Sequence, residues 1–114
     1  MVKIEAIVQP FKLDEVKAAL TSLGVEGITI VHVLSHAGPD GLKARYRGGE
    51  YHVDAAKVKL EMVVSSHRAD EVIDAISHAA RTRQGGDDGT VLVYEIGDAI
   101  RIRNGRRIEF VLSD

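Results

Sequence analysis

Residues 57–64, KVKLEMVV, constrain the fold more than any other stretch of this chain. Val58, Leu60, Met62 and Val64 fall on one side, and Lys57, Lys59 and Glu61 on the other. A period of two belongs to a strand with one face buried and one face polar. Such a strand needs partners beside it and a layer over its apolar face. Residues 2–8, VKIEAIV, repeat the alternation, and Pro10 closes it. Each of these segments is followed by a helical stripe. Leu13, Val16, Ala19, Leu20 and Leu23 make the first, with Lys12, Asp14, Glu15 and Lys17 outside it. Ala69, Val72, Ile73, Ile76 and Ala80 make the second, with Ser65 or Ser66 as the expected N-cap. Gly24 is the expected C-terminal cap of the first helix.

The remaining segments complete the pattern. Residues 26–35, EGITIVHVLS, are β-branched and read as a strand, as do residues 91–96, VLVYEI. Residues 101–112, RIRNGRRIEFVL, read as a closing hairpin-like segment that turns at Asn104-Gly105. Between the halves, residues 37–50 read AGPDGLKARYRGGE, with four glycines and one proline and little to bury. A long exposed loop is expected there, and loops of that length in compact domains are commonly functional.

The order is β-α-β, long loop, β-α-β, plus a C-terminal strand. This predicts a single α+β domain over 1–114 with the ferredoxin-like split βαβ sandwich, βαββαβ, and a long exposed loop after the second strand. Helices would cover one sheet face only. The other face reads as apolar enough to need covering, and self-association is the simplest cover in so short a chain.

Composition excludes several classes. Aromatic residues are 4% of the chain and Trp is absent, so the core must be aliphatic. A net charge of −2 argues against a general nucleic-acid binder. No cysteine is present, which removes disulfides, thiolate metal sites and thiol nucleophiles and fits a cytoplasmic setting. No apolar run approaches the roughly 20 residues of a membrane span, so insertion in a membrane is not expected.

Three polar segments carry candidate chemistry. In RIR, extended backbone would put Arg101 and Arg103 on one side, where paired guanidinium groups can grip a phosphate or carboxylate. On spacing alone, an ordinary solvent-facing basic strand is the favoured reading, because such alternation is common. The turn TRQGGDDGT, 82–90, offers consecutive backbone N–H groups that can nest an anion. It lacks the ending and context of a P-loop, and in isolation a flexible helix-to-strand connection is the better reading. Tyr46 and Tyr51 flank Arg47-Gly48-Gly49-Glu50 in the long loop, as contact or modification candidates or as incidental loop residues. Histidines 32, 36, 52, 67 and 78 form no metal motif and read as solvated, and no nucleophile elbow occurs. No metal site and no catalytic group is expected.

Taken in order, three motifs resemble the PII nitrogen-regulatory family. KIEAIVQPFKLDEVKAAL resembles its first strand and helix, YRGGEY (46–51) its effector-loop signature, and IRIRNG (100–105) its closing phosphate-gripping segment. The resemblance implies a non-enzymatic signal-transduction regulator, built as a homotrimer with ATP or ADP in clefts between subunits. Mg²⁺ is allowed beside the nucleotide. The long loop would dock onto protein targets such as an ammonium channel or a nitrogen-metabolism enzyme. By position, Arg101 and Arg103 would hold phosphates, and Gly86, Asp87 and Gly89 would form the cradle, with Thr90 beside them. Thr29, Thr82 and Val63 would lie near adenine and sugar, and Ile7 with Ser35, His36, Ala37 and Gly38 would line the cleft. Tyr51 matches a tyrosine that some members have nucleotidylated, and Tyr46, Arg47, Gly48 and Glu50 belong to the effector loop.

The departures from the family are specific. Gly49 replaces Ala or Ser. Pro39 replaces a glutamine that helps bind Mg²⁺ and 2-oxoglutarate, which counts against the usual 2-oxoglutarate response. Ser35, His36 and Ala37 replace a glycine-rich stretch, and Gly38 replaces an arginine. The 82–90 turn has one extra Asp, with Thr90 in place of a phosphate-binding lysine and Gln84 in place of another. Losing two cations should weaken ATP more than ADP or AMP. Arg81 or Arg83 offers a replacement charge, and Lys57 matches a carboxylate-binding lysine. A PII regulator is therefore expected first. A PII-like sensor reading an adenylate or another small ligand without 2-oxoglutarate comes second. An enzyme on this scaffold, or a purely structural oligomer, has less in the sequence to favour it.

Overall fold

The computed structural model describes residues 1–36, 43–52, 54–82 and 88–108, with side chains except at 43–46 and 50–52. Strand β1 (Val2–Val8) leads to helix α1 (Leu13–Ser22) and strand β2 (Thr29–Ser35). Strands β3 (Lys43–Tyr46) and β4 (Gly49–His52) form a separate hairpin. Strand β5 (Ala55–Val64), helix α2 (Ala69–Ala80) and strand β6 (Gly89–Glu95) complete the order.

The main sheet runs β2-β5-β1-β6, and β1 is antiparallel to both β5 and β6. β1 and β2 belong to one βαβ unit, yet β5 lies between them, which is the split arrangement of the ferredoxin-like fold. The alternation at 57–64 settles the register. Val58, Leu60, Met62 and Val64 oppose Val8, Ala6, Ile4 and Val2, and all eight side chains are buried on the helix side. Val16 and Leu20 from α1 and Val72, Ile76 and Ala80 from α2 close the core. Both predicted helical stripes face the sheet.

Gly24 ends α1 as expected. Its φ is 77°, its N–H donates to Thr21 O at 2.9 Å, and the next N–H, of Val25, donates to Leu20 O at 3.0 Å. These are the paired bonds of a Schellman cap, with Val25 packed into the core near Leu20. The start of α2 differs from expectation. A 3₁₀ turn, Ser66–Arg68, precedes it, and neither serine caps it. Ser65 Oγ lies 3.1 Å from His67 Nδ1, and Ser66 Oγ accepts from the Met1 amine at 2.8 Å. A matching 3₁₀ turn, Pro10–Lys12, enters α1, so both helices start without a side-chain cap.

Other boundaries are corrected too. β2 begins at Thr29 rather than 26, because Gly27 takes φ 69° just before it. β6 begins at Gly89 rather than 91, so Gly89 and Thr90 belong to the sheet and not to the turn. Residues 37–50 are not all loop, because the β3–β4 hairpin runs through them and on to His52. Arg47 (φ 52°) and Gly48 (φ 79°) make its two-residue turn, and positive φ at both positions is the type I′ signature. At the other end, residues 101–108 carry no strand. The expected turn at Asn104-Gly105 is present, with Gly105 N–H donating to Arg101 O at 2.8 Å. The pairing reduces to one bridge, Ile100 with Arg107. Residues 109–112 of the expected C-terminal strand lie outside the described residues.

The uncovered sheet face is less apolar than the sequence suggested. Val31, Val33, Val63, Ile7 and Leu92 flank a charged strip. Lys59 lies 3.8 Å from Glu5 and 3.3 Å from Glu61, and Lys3 lies 4.0 Å from Glu5. Glu5 and Glu61 are directly opposed, and the lysines offset that repulsion. Lys3 Nζ also sits 4.8 Å from the centre of the Tyr94 ring.

Candidate functional site

Strand register sorts the sequence-predicted site residues into two sets. The first set gathers where β1 and β2 end and β5 and β6 begin. Ile7 lies between Lys59 and Thr90, and Gly89 pairs with Val8. Ser35 ends β2 opposite Ala55. Thr82 stands two residues beyond α2, and its hydroxyl donates to Asp88 Oδ1 at 2.6 Å. That hydrogen bond is the main cause holding the Asp88 carboxyl below the usual aspartate range. Partial burial opposes it, and the Thr82 amide and the Arg81 and Lys12 charges add to it. Asp88 is therefore a carboxylate at neutral pH, tying together the two ends of the segment between α2 and β6.

Gly89 is required where it stands. Its φ is 118°, and a Cβ there would lie 2.0 Å from the carbonyl oxygen of Ile7. The backbones of β1 and β6 meet too closely for any side chain. An open cavity of about 230 Å³ sits behind this point, lined by Val8, Ile76, Ser77, Ala80, Arg81, Asp88, Gly89, Thr90 and Val91.

The second set lies at the opposite end of the sheet. Thr29 opposes Glu61, and Val63 opposes Lys3. Val63 borders a cavity of about 280 Å³ formed with Gly24, Val25, Glu26, Val64, Ser65 and Arg68. β6 ends here, where Ile96 N–H donates to Met1 O at 3.1 Å, and the segment bearing Arg101 and Arg103 follows. The six residue steps from Gly89 to Glu95 separate the two ends by about 20 Å, at about 3.4 Å per residue.

The two arginines do not lie on a strand. Residues 102–104 form a turn, Arg101 N–H donates to Arg106 O at 2.8 Å, and Arg107 Nε donates to Asp98 Oδ2 at 2.7 Å. The same-side argument from extended backbone is thus replaced by a closed loop that presents both arginines and Ile102 to solvent in the single chain.

Ala37, Gly38, Gly86 and Asp87 lie outside the described residues, as do Pro39, Arg83 and Gln84. Tyr46, Glu50 and Tyr51 are placed by backbone alone on the hairpin, with Arg47 and Gly48 exposed at its tip. Among the described residues, no group of three or more His, Asp or Glu is set to hold a metal ion. One feature was missed by sequence reasoning, which gave the exposed His36 no carboxylate partner. Its Nδ1 lies 2.6 Å from Asp54 Oδ1. Positions 36 and 54 show no link until the β2–β5 register is known.

Comparison with known proteins agrees over almost the whole chain. The family described as nitrogen regulatory protein P-II matches residues 1–106. A nitrogen regulatory protein P-II of Rhodospirillum rubrum is 48% identical over 108 residues, covering 94% of this chain and 96% of its own. One of Pasteurella multocida is 44% identical over 110 residues, covering 96% and 97%. Among solved structures, Arabidopsis thaliana PII bound to citrate superposes with a TM-score of 0.75. It shares 34% identity and covers 95% of this chain and 85% of that one.

Proposed function

This chain belongs to the nitrogen regulatory protein P-II family, and on that premise we propose that it binds an adenine nucleotide between the subunits of a homotrimer and passes that state to protein targets through its long loop. It is a signalling regulator and not an enzyme. The observation that carries the proposal is the division of the site residues. Gly89 and Thr90 stand at one end of β6, and the segment that bears Arg101 and Arg103 leaves from its other end, about 20 Å away at Glu95. Two chains with these sheet ends juxtaposed would bring the sets to one phosphate tail, and the exposed Arg101, Ile102 and Arg103 are open to such a junction.

The targets would be nitrogen-metabolism proteins in the cytoplasm, an ammonium channel among them, with β3–β4 as the docking element. No helix among the described residues is long and apolar enough to cross a membrane, so contact with a channel would be peripheral. One observation favours a variant of this reading. Thr90 stands at the start of β6, opposite Ile7, and supplies a hydroxyl where the family has a lysine. A site with one cation fewer favours ADP or AMP over ATP. With Pro39 in the loop, it would act without 2-oxoglutarate.

Calorimetric titration with ATP, ADP and AMP, with and without Mg²⁺ and 2-oxoglutarate, tests both readings. Binding by the wild type and a loss of about ten-fold or more in Arg103→Ala is expected, since charge-assisted hydrogen bonds to phosphate are among the strong ones. Unchanged affinity in Arg103→Ala would remove that residue from the site. A wild type silent toward all three nucleotides would end the proposal.

A further inference from the structure

We propose that His36 and Asp54 form a protonation-sensitive clasp that sets how firmly the β3–β4 hairpin is held to the main sheet. The pair occupies a defined place. The β2–β5 ladder runs from Thr29 opposite Glu61 to Ser35 opposite Ala55. The next opposed positions in that register are 36 and 54. There the backbone pairing ends and the side chains take over, with Nδ1 to Oδ1 at 2.6 Å. Every residue of the hairpin lies between these two positions, so they form its neck. A tie at the neck limits the direction in which the hairpin leaves the sheet.

The chemistry of the tie depends on the ring. A neutral imidazole donates one hydrogen bond from Nδ1–H to the carboxylate. A protonated ring makes the same contact an ion pair, and imidazole changes charge between about pH 5 and 8. The side chains are 68% and 46% exposed, so the added strength is that of a surface pair.

Other charged groups at this end are engaged elsewhere or displaced. His32 shares the face of β2 but stands four residues back, opposite Val58. Lys57 on β5 points to the opposite face. Lys12, beyond β1, is 3.3 Å from Glu15. Asp88, before β6, is bonded to Thr82, with Arg81 nearby. Among the described residues, His36 and Asp54 have no partner but each other.

The inference concerns the chain without ligand. Only its consequence for target docking rests on the function proposed above. Limited trypsin digestion between Lys43 and Arg47, without nucleotide, reads the freedom of the hairpin. Dividing the Asp54→Asn rate by the wild-type rate at each pH cancels the pH dependence of trypsin itself. The ratio should be about two- to five-fold at pH 6 and fall to about one at pH 8.5. His36→Asn keeps a hydrogen bond without a titrating ring, and its Asp54→Asn double variant should give a ratio independent of pH. A wild-type ratio equal at both pH values, or near one throughout, overturns the clasp whether or not nucleotide binds. Nucleotide titration of the wild type, with both side chains intact, tests the functional reading separately.

Discussion

Replacing Gly89 with alanine should cost this chain far more than the same change at Gly24, Gly27, Gly48, Gly97 or Gly105, where an added Cβ meets nothing within 4 Å. Two separate terms act there. The first is conformational, since Gly89 has φ 118°, a sparsely populated region that a residue with a Cβ enters at a cost of about 1–3 kcal/mol. The second is steric. The new Cβ would lie 2.0 Å from Ile7 O, 3.0 Å from Ile7 C and 3.2 Å from Val8 Cα, all backbone atoms of β1. No side chain can rotate away to relieve the overlap, so β1 and β6 must separate at their paired ends. Forced shifts of this kind cost about 1–3 kcal/mol. Together the terms predict about 2–6 kcal/mol. Gly24→Ala is the control, because its φ of 77° carries the conformational term while nothing lies within 4 Å of a Cβ there. It should cost about 1–2 kcal/mol. Urea denaturation at fixed protein concentration, followed by far-ultraviolet circular dichroism, measures both. If Gly89→Ala loses no more stability than Gly24→Ala, the close approach of β1 and β6 is wrong. The placement of Gly89 and Thr90 beside Ile7 would fall with it.

Leu60 is fully buried at the centre of the sheet, and Leu60→Ala should lower stability by about 2–5 kcal/mol, read as a shift in urea midpoint with unchanged slope. Thr82→Val removes the hydroxyl that most lowers Asp88, so a carboxyl-carbon NMR titration should find the Asp88 midpoint moved upward. Because the carboxyl is held low in the folded chain, its contribution to stability is present above the ordinary aspartate range. That contribution is lost as pH falls through the lowered value, so wild type and Thr82→Val should converge in acid.

The sheet and its helices were legible because burial is one-sided. Val58, Leu60, Met62 and Val64 had to share a face, and the two helical stripes had only that face to cover. Gly24 was legible because a residue free to take positive φ directly after an apolar stripe leaves few alternatives. The misread segments share a different cause. Arg47-Gly48 forms a tight hairpin turn, yet arginine is not a usual left-handed residue, so the polar run around it looked like loop. Ser65 and Ser66 have the chemistry of caps but face His67 and the chain terminus instead. RIR alternates as a strand would, but the turn at Asn104-Gly105 closes back on Arg101 and takes up the whole segment. In each case a local signal had two outlets, and a tertiary contact chose between them.

The same reasoning explains why the candidate site was only half legible. Sequence can nominate Thr29, Val63, Gly89 and Arg101 one by one, but their separation depends on strand direction. β6 carries the chain from Gly89 to Glu95, so the segment bearing Arg101 and Arg103 departs from the end of the sheet opposite Gly89. The charged strip on the uncovered face bears on how two such ends could meet. Lys3, Glu5, Lys59 and Glu61 are already paired within one chain, so covering them does not strand an isolated charge. The Val31, Val33, Ile7 and Leu92 flanks supply apolar area on either side of the strip. Any surface laid on that face would meet these four charges already set against one another.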